Sequence, residues 1–275
     1  MSKKVAIQGI TGSNHYLVVN KFIESPNEIK SFESFTGLVD SVVKEKSDCG
    51  IMAIENSIAG SILPNYNLIS QNALFISAEY FLDIKHNLVA LKGQHIEDIT
   101  TVKSHQMAFY QCGRFLDNHP QLKLIEDSDT ALPAWQIAKH QLKNTAAIVP
   151  DGTAELFGLE VLHHHIQDHD LNSTRFVNIS KKKSAENKNA NKASVRFELA
   201  HKSGSLHRVL SILKEYHINM TKIQSIPTQH SKWNYAFFID MIFDKDFDIF
   251  KTMELIQSKS HHFQVLGIYK QGKHD

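Results

Sequence analysis

Cysteine is almost missing from this chain: only Cys49 and Cys112 occur in 275 residues, too few for a disulfide framework and too far apart to suggest a zinc motif. An excess of one charge is missing too. Lys plus Arg number 30 against 29 Asp plus Glu, so no global positive field concentrates nucleic acid or an anionic membrane surface. No apolar run approaches the length that crosses a bilayer, and the opening MSKKVAIQGI leads straight into a strand pattern with no signal peptide before it. These absences argue against nucleic-acid and membrane partners and against a periplasmic transport role. A reduced, cytoplasmic setting is the expectation.

Histidine is plentiful, at 17 residues, and His163-His164-His165 invites a metal reading. Three consecutive side chains do not converge on one ion as helical i, i+4 pairs do, and His261-His262 is a weaker candidate still. Both runs read as loop or strand-end residues. No metal site is expected.

The length fits two domains, and the apolar content of 42% is ample for two cores. One composition shift marks the border. The stretch from Lys181 to Lys192 has no large apolar residue, cannot pack a core and reads as a linker over about 181–193. Before it, short apolar runs alternate with helical patterns: Val5 to Ile7 then Tyr16 to Ile23, Ile51 to Ile54 then Ile58 to Ile69, Ala146 to Val149 then Ala154 to Phe157. That is an α/β region with a mainly parallel sheet, in one domain or two lobes. After the linker, Val195, Phe197 and Leu199 alternate as a strand, and Leu206, Val209, Leu210 and Leu213 follow at helical spacing, with Ser205 a candidate N-cap. Strand patterns from Ile218 to Ile226 and from Asn234 to Phe243, a helix marked by Ile249, Phe250, Met253 and Ile256, and a strand from Phe263 to Tyr269 complete a ferredoxin-like βαββαβ order.

Just before the linker, Asn172-Ser173-Thr174-Arg175-Phe176 groups a hydroxyl donor, a guanidinium and an aromatic ring. Arg binds carboxylates bidentately and Thr can hydrogen-bond a departing oxygen, so the run suits a small acid that carries a leaving group. The plainer reading is a strand opening, with Phe176 and Ile179 inward and Arg175 outward. Three candidate helix starts, Gly12-Ser13, Asn56-Ser57 and Ser104-His105, offer small polar side chains beside free amides, either as anion sites or as ordinary N-caps.

Taken in order, Gln8-Gly9-Ile10-Thr11-Gly12-Ser13, Ile54-Glu55-Asn56-Ser57 with Gly60, Ser104-His105, Ala154-Glu155-Leu156-Phe157-Gly158-Leu159, and Asn172 with Thr174-Arg175-Phe176 resemble the prephenate dehydratase family, from about residue 3 to residue 270. The βαββαβ tail resembles an ACT regulatory domain. The resemblance implies a catalytic domain over 1–180 built like a periplasmic binding protein, with one lobe at about 1–76 plus 165–180 and the other at about 77–164, followed by an ACT domain over 194–275. It implies decarboxylating dehydration of prephenate to phenylpyruvate with no cofactor. Thr174 and Arg175 are then catalytic; Ser13, Asn56, Ser57, Ser104, His105, Thr130, Asn172 and Phe176 bind substrate. Phenylalanine is the implied allosteric inhibitor, held near Gly204, Ser205, Leu206, Asn219, Gln224, Ser225 and Pro227, between ACT domains of a homodimer or homotetramer.

Several positions depart from the family pattern. Gln106 stands where proline usually follows Ser-His; Asp129-Thr130-Ala131-Leu132-Pro133 replaces a Ser-Thr-Ala-Ala-like run; Asn14-His15-Tyr16 alters the first helix; Pro150-Asp151 replaces a small pair. In the tail, Gln224-Ser225-Ile226-Pro227 stands in place of Glu-Ser-Arg-Pro, removing a carboxylate and a guanidinium. Thr130 lines the cleft or caps the following helix. Glu55, beside a dianion, reads as a structural acceptor or polar gate. An arogenate dehydratase and a non-catalytic amino-acid sensor are the alternatives.

Overall fold

The computed structural model describes residues 3–183, 187–228, 235–244 and 247–272; Asn234 and linker residues 184–186 lie outside them. The chain divides into two compact units, one of Met1–Ser61 with Tyr80–Phe176, the other of Ile62–Glu79 with Val177–Lys273.

The chain runs β1 (Lys4–Gln8), α1 (Asn14–Phe22), β2 (Glu28–Phe32), α2 (Phe35–Val43), β3 (Cys49–Asn56), β4 (Gly60–Ser61), α3 (Leu63–Gln71) and β5 (Phe75–Asp83). With β11 (Ser173–Ser180) these strands form a sheet in the order β2-β1-β3-β11-β5, and β4 pairs with β3. β1 lies parallel to both β2 and β3. Val5, Ala6 and Ile7 are all fully buried, the continuous apolar run of a strand covered on both faces.

A second sheet is built from β6 (His86–Ala90), β7 (Thr101–Ser104), β8 (Lys123–Glu126), β9 (Thr145–Pro150) and β10 (Glu160–His163), ordered β10-β6-β9-β7-β8. Between its strands lie α4 (Gln106–Gln111), α5 (Gly113–Asp117), α6 (Leu132–His140) and α7 (Thr153–Phe157). Strand alternation sorts its residues onto two cores. Leu88, Ala90, Ala146 and Ile148 join Val102 and Phe109 on one face, while Val89, Ala147 and Val149 join Ala134 and Ile137 on the other. β7 is parallel to β8 and β9, but β6 is antiparallel to β9 and β10, so this sheet is mixed. β6 follows β5 after two residues, with no crossover helix to bring it in parallel.

One helix boundary differs from expectation. Asn56-Ser57 does not open a helix: Asn56 Oδ1 accepts from Ile58 N at 3.0 Å and Ala59 N at 2.8 Å, turning the chain into the β3–β4 hairpin, and α3 starts at Leu63 beside Pro64. The helical segment that follows Ser104-His105 is broken at Cys112 into α4 and α5.

In the other unit, β12 (Lys192–Glu198), α8 (Ser205–Glu215), β13 (Asn219–Pro227), β14 (Tyr235–Ile242), α9 (Ile249–Ser258) and β15 (His261–Tyr269) give the expected βαββαβ order, with an antiparallel sheet β13-β14-β12-β15. One sheet face packs Val195, Phe197, Ile239 and Met241 against Val209, Leu213, Met253 and Ile256. The other face is polar and still buried. Lys192, assigned by composition to the linker, opens β12, and its Nζ lies 2.8 Å from Glu79 Oε2 with both side chains almost fully enclosed. A lysine is held at such depth only by a matched carboxylate. α8 begins at Ser205 with Gly204 as its N-cap, at φ 78°, so Ser205 is not the cap.

Candidate active site

Two strand termini meet at the centre of the candidate site: the end of β3, Glu55-Asn56, and the start of β11, Asn172 to Phe176. Both Asn56 Oδ1 contacts are backbone donors, so its amide cannot turn over, and Nδ2 must face β11. That Nδ2 donates to Asn172 Oδ1 at 2.7 Å, to Thr174 Oγ1 at 3.0 Å and to Ser173 O at 3.3 Å. Thr174 therefore receives a hydrogen bond on its oxygen, and its own proton is left to donate. Ser57 closes the same junction, its N–H donating to Ser173 O at 2.9 Å and its Oγ to Leu171 O at 3.1 Å. Asn172 Nδ2 is buried and has no partner among the described residues, a donor awaiting an acceptor.

Arg175 is 5% exposed, not outward as a strand-opening reading places it, and its guanidinium lies 3.6 Å from Glu55 Oε2. Glu55 thus acts as a partner of Arg175. Phe176 packs edge-on against His15, with ring centroids 5.0 Å apart. His15 Nε2 accepts from Ala53 N at 3.2 Å, so the neutral ring carries its proton on Nδ1. Burial pushes its pKa down from 6.5 to about 3.

The unfolded chain therefore binds a proton that the fold rejects between those two values, and stability contributed by neutral His15 is lost as pH falls from about 6.5 toward about 3. Denaturant unfolding of the wild type and His15→Gln, whose amide oxygen can still accept from Ala53, is expected to show the wild type losing stability relative to the variant over that window. A difference that stays flat with pH removes this role.

The remaining expected residues lie around β1 and the second sheet. Ser13 caps α1, accepting from Tyr16 N at 3.3 Å. Gly9 and Gly12 both have φ of 88°, and Thr153 Oγ1 donates to Gly12 O at 2.9 Å. A Cβ on Gly9 would collide with Asp129 Oδ2. Ser104 ends β7 fully buried and donates to Ile148 O at 2.7 Å, a bond that holds the sheet together. His105 caps α4, with Nδ1 accepting from Met107 N at 3.1 Å. Thr130 is half-buried and does not cap α6. Asp129 does so, its Oδ1 taking Ala131 N at 2.6 Å and Leu132 N at 3.1 Å. The geometry joins Asn56, Ser57, Asn172 and Thr174 by hydrogen bonds, with Arg175 and Phe176 next in the strand, while the hydrogen bonds of Ser13, Ser104 and His105 run to other partners. Among the described residues no three His, Cys, Asp or Glu side chains gather to hold a metal ion.

In the C-terminal unit, a cavity of about 320 Å³ is lined by His201, Lys202, Ser205, Leu206, Tyr235 and Phe237, together with Leu199 and its neighbours. On β13, Ser225 lies opposite Phe237 and Pro227 opposite Tyr235, bringing both to the end of the sheet where Phe237 and Tyr235 line the cavity. Gln224 donates to Ser225 O at 2.9 Å. Asn219 pairs with Ile242 at the far end of β13, about 20 Å from Ser225, and does not join this pocket.

A sequence model of the prephenate dehydratase family matches residues 5–184, and one of the ACT domain matches residues 193–249. The chain is 30% identical to a bifunctional chorismate mutase/prephenate dehydratase of Buchnera aphidicola over 90% of its length. It spans only 64% of that relative. An Arabidopsis thaliana protein named arogenate dehydratase/prephenate dehydratase 2, chloroplastic, is 32% identical, with 97% of this chain and 72% of that one covered. A solved prephenate dehydratase from Arthrobacter aurescens, in complex with L-Phe, shares the fold with a TM-score of 0.86 at 23% identity, covering 97% of this chain and 90% of that one. The extent of the first match, together with the order of its motifs along β1, β3 and β11, places the chain in the prephenate dehydratase family, with an ACT domain at its C-terminal side.

Proposed function

We propose that the chain is a carbon–oxygen lyase that converts prephenate to phenylpyruvate in phenylalanine biosynthesis. The ring loses its carboxylate as carbon dioxide, the electron pair moves through the ring, and the C–O bond to the hydroxyl breaks as the ring becomes aromatic. The hydroxide leaves as water once a proton reaches it. No cofactor takes part in this scheme. What the protein must supply is a donor at the departing oxygen and a fixed cationic environment for a dianion. The orientation of the Thr174 hydroxyl carries the reading: Asn56 occupies its acceptor side and leaves its proton for the substrate. Asn172 Nδ2 and Arg175 supply further donors beside it. Incubation of the protein with prephenate, followed by the ultraviolet absorbance of phenylpyruvate, tests the proposal; a folded protein that forms none leaves an amino-acid sensor as the better reading. The catalytic domain of this scheme covers about 1–180, and the linker expected over 181–193 is shortened by β12, which opens the ACT domain at Lys192. Two buried cysteines that are not joined to each other fit a cytoplasmic setting.

Phenylalanine is the proposed effector, and a homo-oligomer formed through ACT domains its receptor. The pocket beside Ser205 and Leu206 is lined by Phe237 and Tyr235 and has room for one aromatic amino acid. β13 is an edge strand of its sheet, a surface suited to a second copy. Calorimetric titration of phenylalanine is expected to show saturable binding that weakens in the presence of a substrate analogue, since coupling is reciprocal. Absence of heat at millimolar phenylalanine reduces the tail to an assembly module.

A further inference from the structure

The cavity beside Ser205 has a neighbour in the C-terminal unit. A second cavity, of about 220 Å³, lies where β5, β15 and the start of α9 come together, and every residue lining it belongs to that unit. Its shape depends on a glycine. A Cβ on Gly267 would collide with Ile76 O, so only bare backbone lets β15 lie against β5 at this point.

The lining has two chemically distinct parts. Phe75, Phe243, Phe247 and Phe250 contribute four aromatic rings, those of Phe243 and Phe247 standing 6.4 Å apart at 50°. Phe250 is 48% exposed, although α9 buries Ile249, Met253 and Ile256 in the core. The polar part comes from Lys183, Asn187 and Lys188, all exposed and therefore at the open rim. Asn187 Oδ1 accepts from Asn189 N at 2.9 Å, which leaves Nδ2 to donate. The three rim side chains thus offer donors, and two of them are cations. Among the described residues no carboxylate lines the cavity, and none pairs with Lys183 or Lys188. Asp248 is turned to the helix it caps, its Oδ1 taking Phe250 N at 3.1 Å.

We propose that this cavity is a binding site for a small aromatic monocarboxylate that carries no amino group, its ring among the phenylalanines and its carboxylate at the lysine rim. Charge selects the head group, because an ammonium would meet two cations and no side-chain acceptor, whereas a carboxylate meets three donors. The rings select the body, since aromatic groups pack edge-on or offset against one another. Size limits it to one ring with a short chain, the volume falling below the roughly 300 Å³ at which drug-sized ligands begin. The inference stands apart from the dehydratase reading and from the effector pocket.

Calorimetric titration of 3-phenylpropionate, a stable acid of this class, into the full chain tests the proposal. The wild type is expected to bind it saturably, and to bind the neutral 3-phenylpropanamide at least roughly fivefold more weakly, as the loss of charged contacts at an exposed rim implies. Phe250→Asp should weaken the acid at least roughly tenfold, since it removes apolar contact and sets a like charge beside the carboxylate. Lys183→Gln combined with Lys188→Gln should weaken it in the same direction and keeps the test open if the Phe250 variant does not fold, with thermal midpoints as the check. Saturating phenylalanine and the Arg175→Lys change are each expected to leave the affinity unchanged, which separates this site from the effector pocket and from the catalytic residues. No saturable heat at millimolar acid overturns the proposal, as does equal binding of the amide, displacement by phenylalanine, loss in Arg175→Lys, or an affinity that survives both rim and ring substitutions.

Discussion

Thr174→Ala is expected to lower kcat by roughly 100-fold or more while KM changes little, the signature of an interaction made mainly in the transition state. The local geometry makes this a clean substitution. Asn56 keeps its two backbone donors and still has Asn172 Oδ1 and Ser173 O to receive its Nδ2 protons, so the junction between β3 and β11 survives the loss of one hydroxyl. Thr174→Val, which preserves the shape and removes the donor, should behave like alanine. Steady-state kinetics with prephenate, beside thermal midpoints for both variants, separates chemistry from folding. Near wild-type kcat in the alanine variant removes Thr174 as the donor to the leaving oxygen. Ser104 is then a poor replacement, because its hydroxyl is already spent on Ile148 O in the core of the second sheet. Thr130, half-buried and free of the cap that Asp129 supplies, becomes the candidate.

The periodic parts of the fold were legible because burial writes itself into alternation. Val195, Phe197, Ile239 and Met241 face a helical layer whose Val209, Leu213, Met253 and Ile256 recur at helical spacing. Lys192 was illegible for the opposite reason: composition sees a lysine in a polar run, while the fold supplies a carboxylate from residue 79 to bury it. At the site, Thr174 and Arg175 stood out by type and neighbourhood. Their orientation did not, since it depends on Asn56, more than a hundred positions away, and on a hairpin that the sequence pattern presented as a helix start. His15 and Asp129 appeared in the sequence only as departures from a pattern. Their acceptor roles arise from Ala53, Ala131 and Leu132 backbone groups, and side-chain chemistry alone carries no trace of those.

Arg175→Lys is expected to cost about 2–4 kcal/mol in kcat/KM, although it preserves the charge. Lysine presents a compact, strongly hydrated ammonium, and at 5% exposure the site has little water to offer it. The planar fork of Arg175 can face Glu55 on one edge and a substrate carboxylate on another, whereas one ammonium reaches both only by moving between them. The loss should therefore fall on binding as well as turnover, unlike that at Thr174. Glu55 decides how the effect is read. As a partner 3.6 Å away it helps to position the guanidinium, so Glu55→Gln should weaken that positioning and reduce kcat/KM by less than the lysine change does. Kinetics of Arg175→Lys indistinguishable from wild type, in a protein of unchanged thermal midpoint, would leave Arg175 as a structural counter-ion of Glu55, and recognition of the substrate carboxylates would pass to donors such as Asn172 Nδ2.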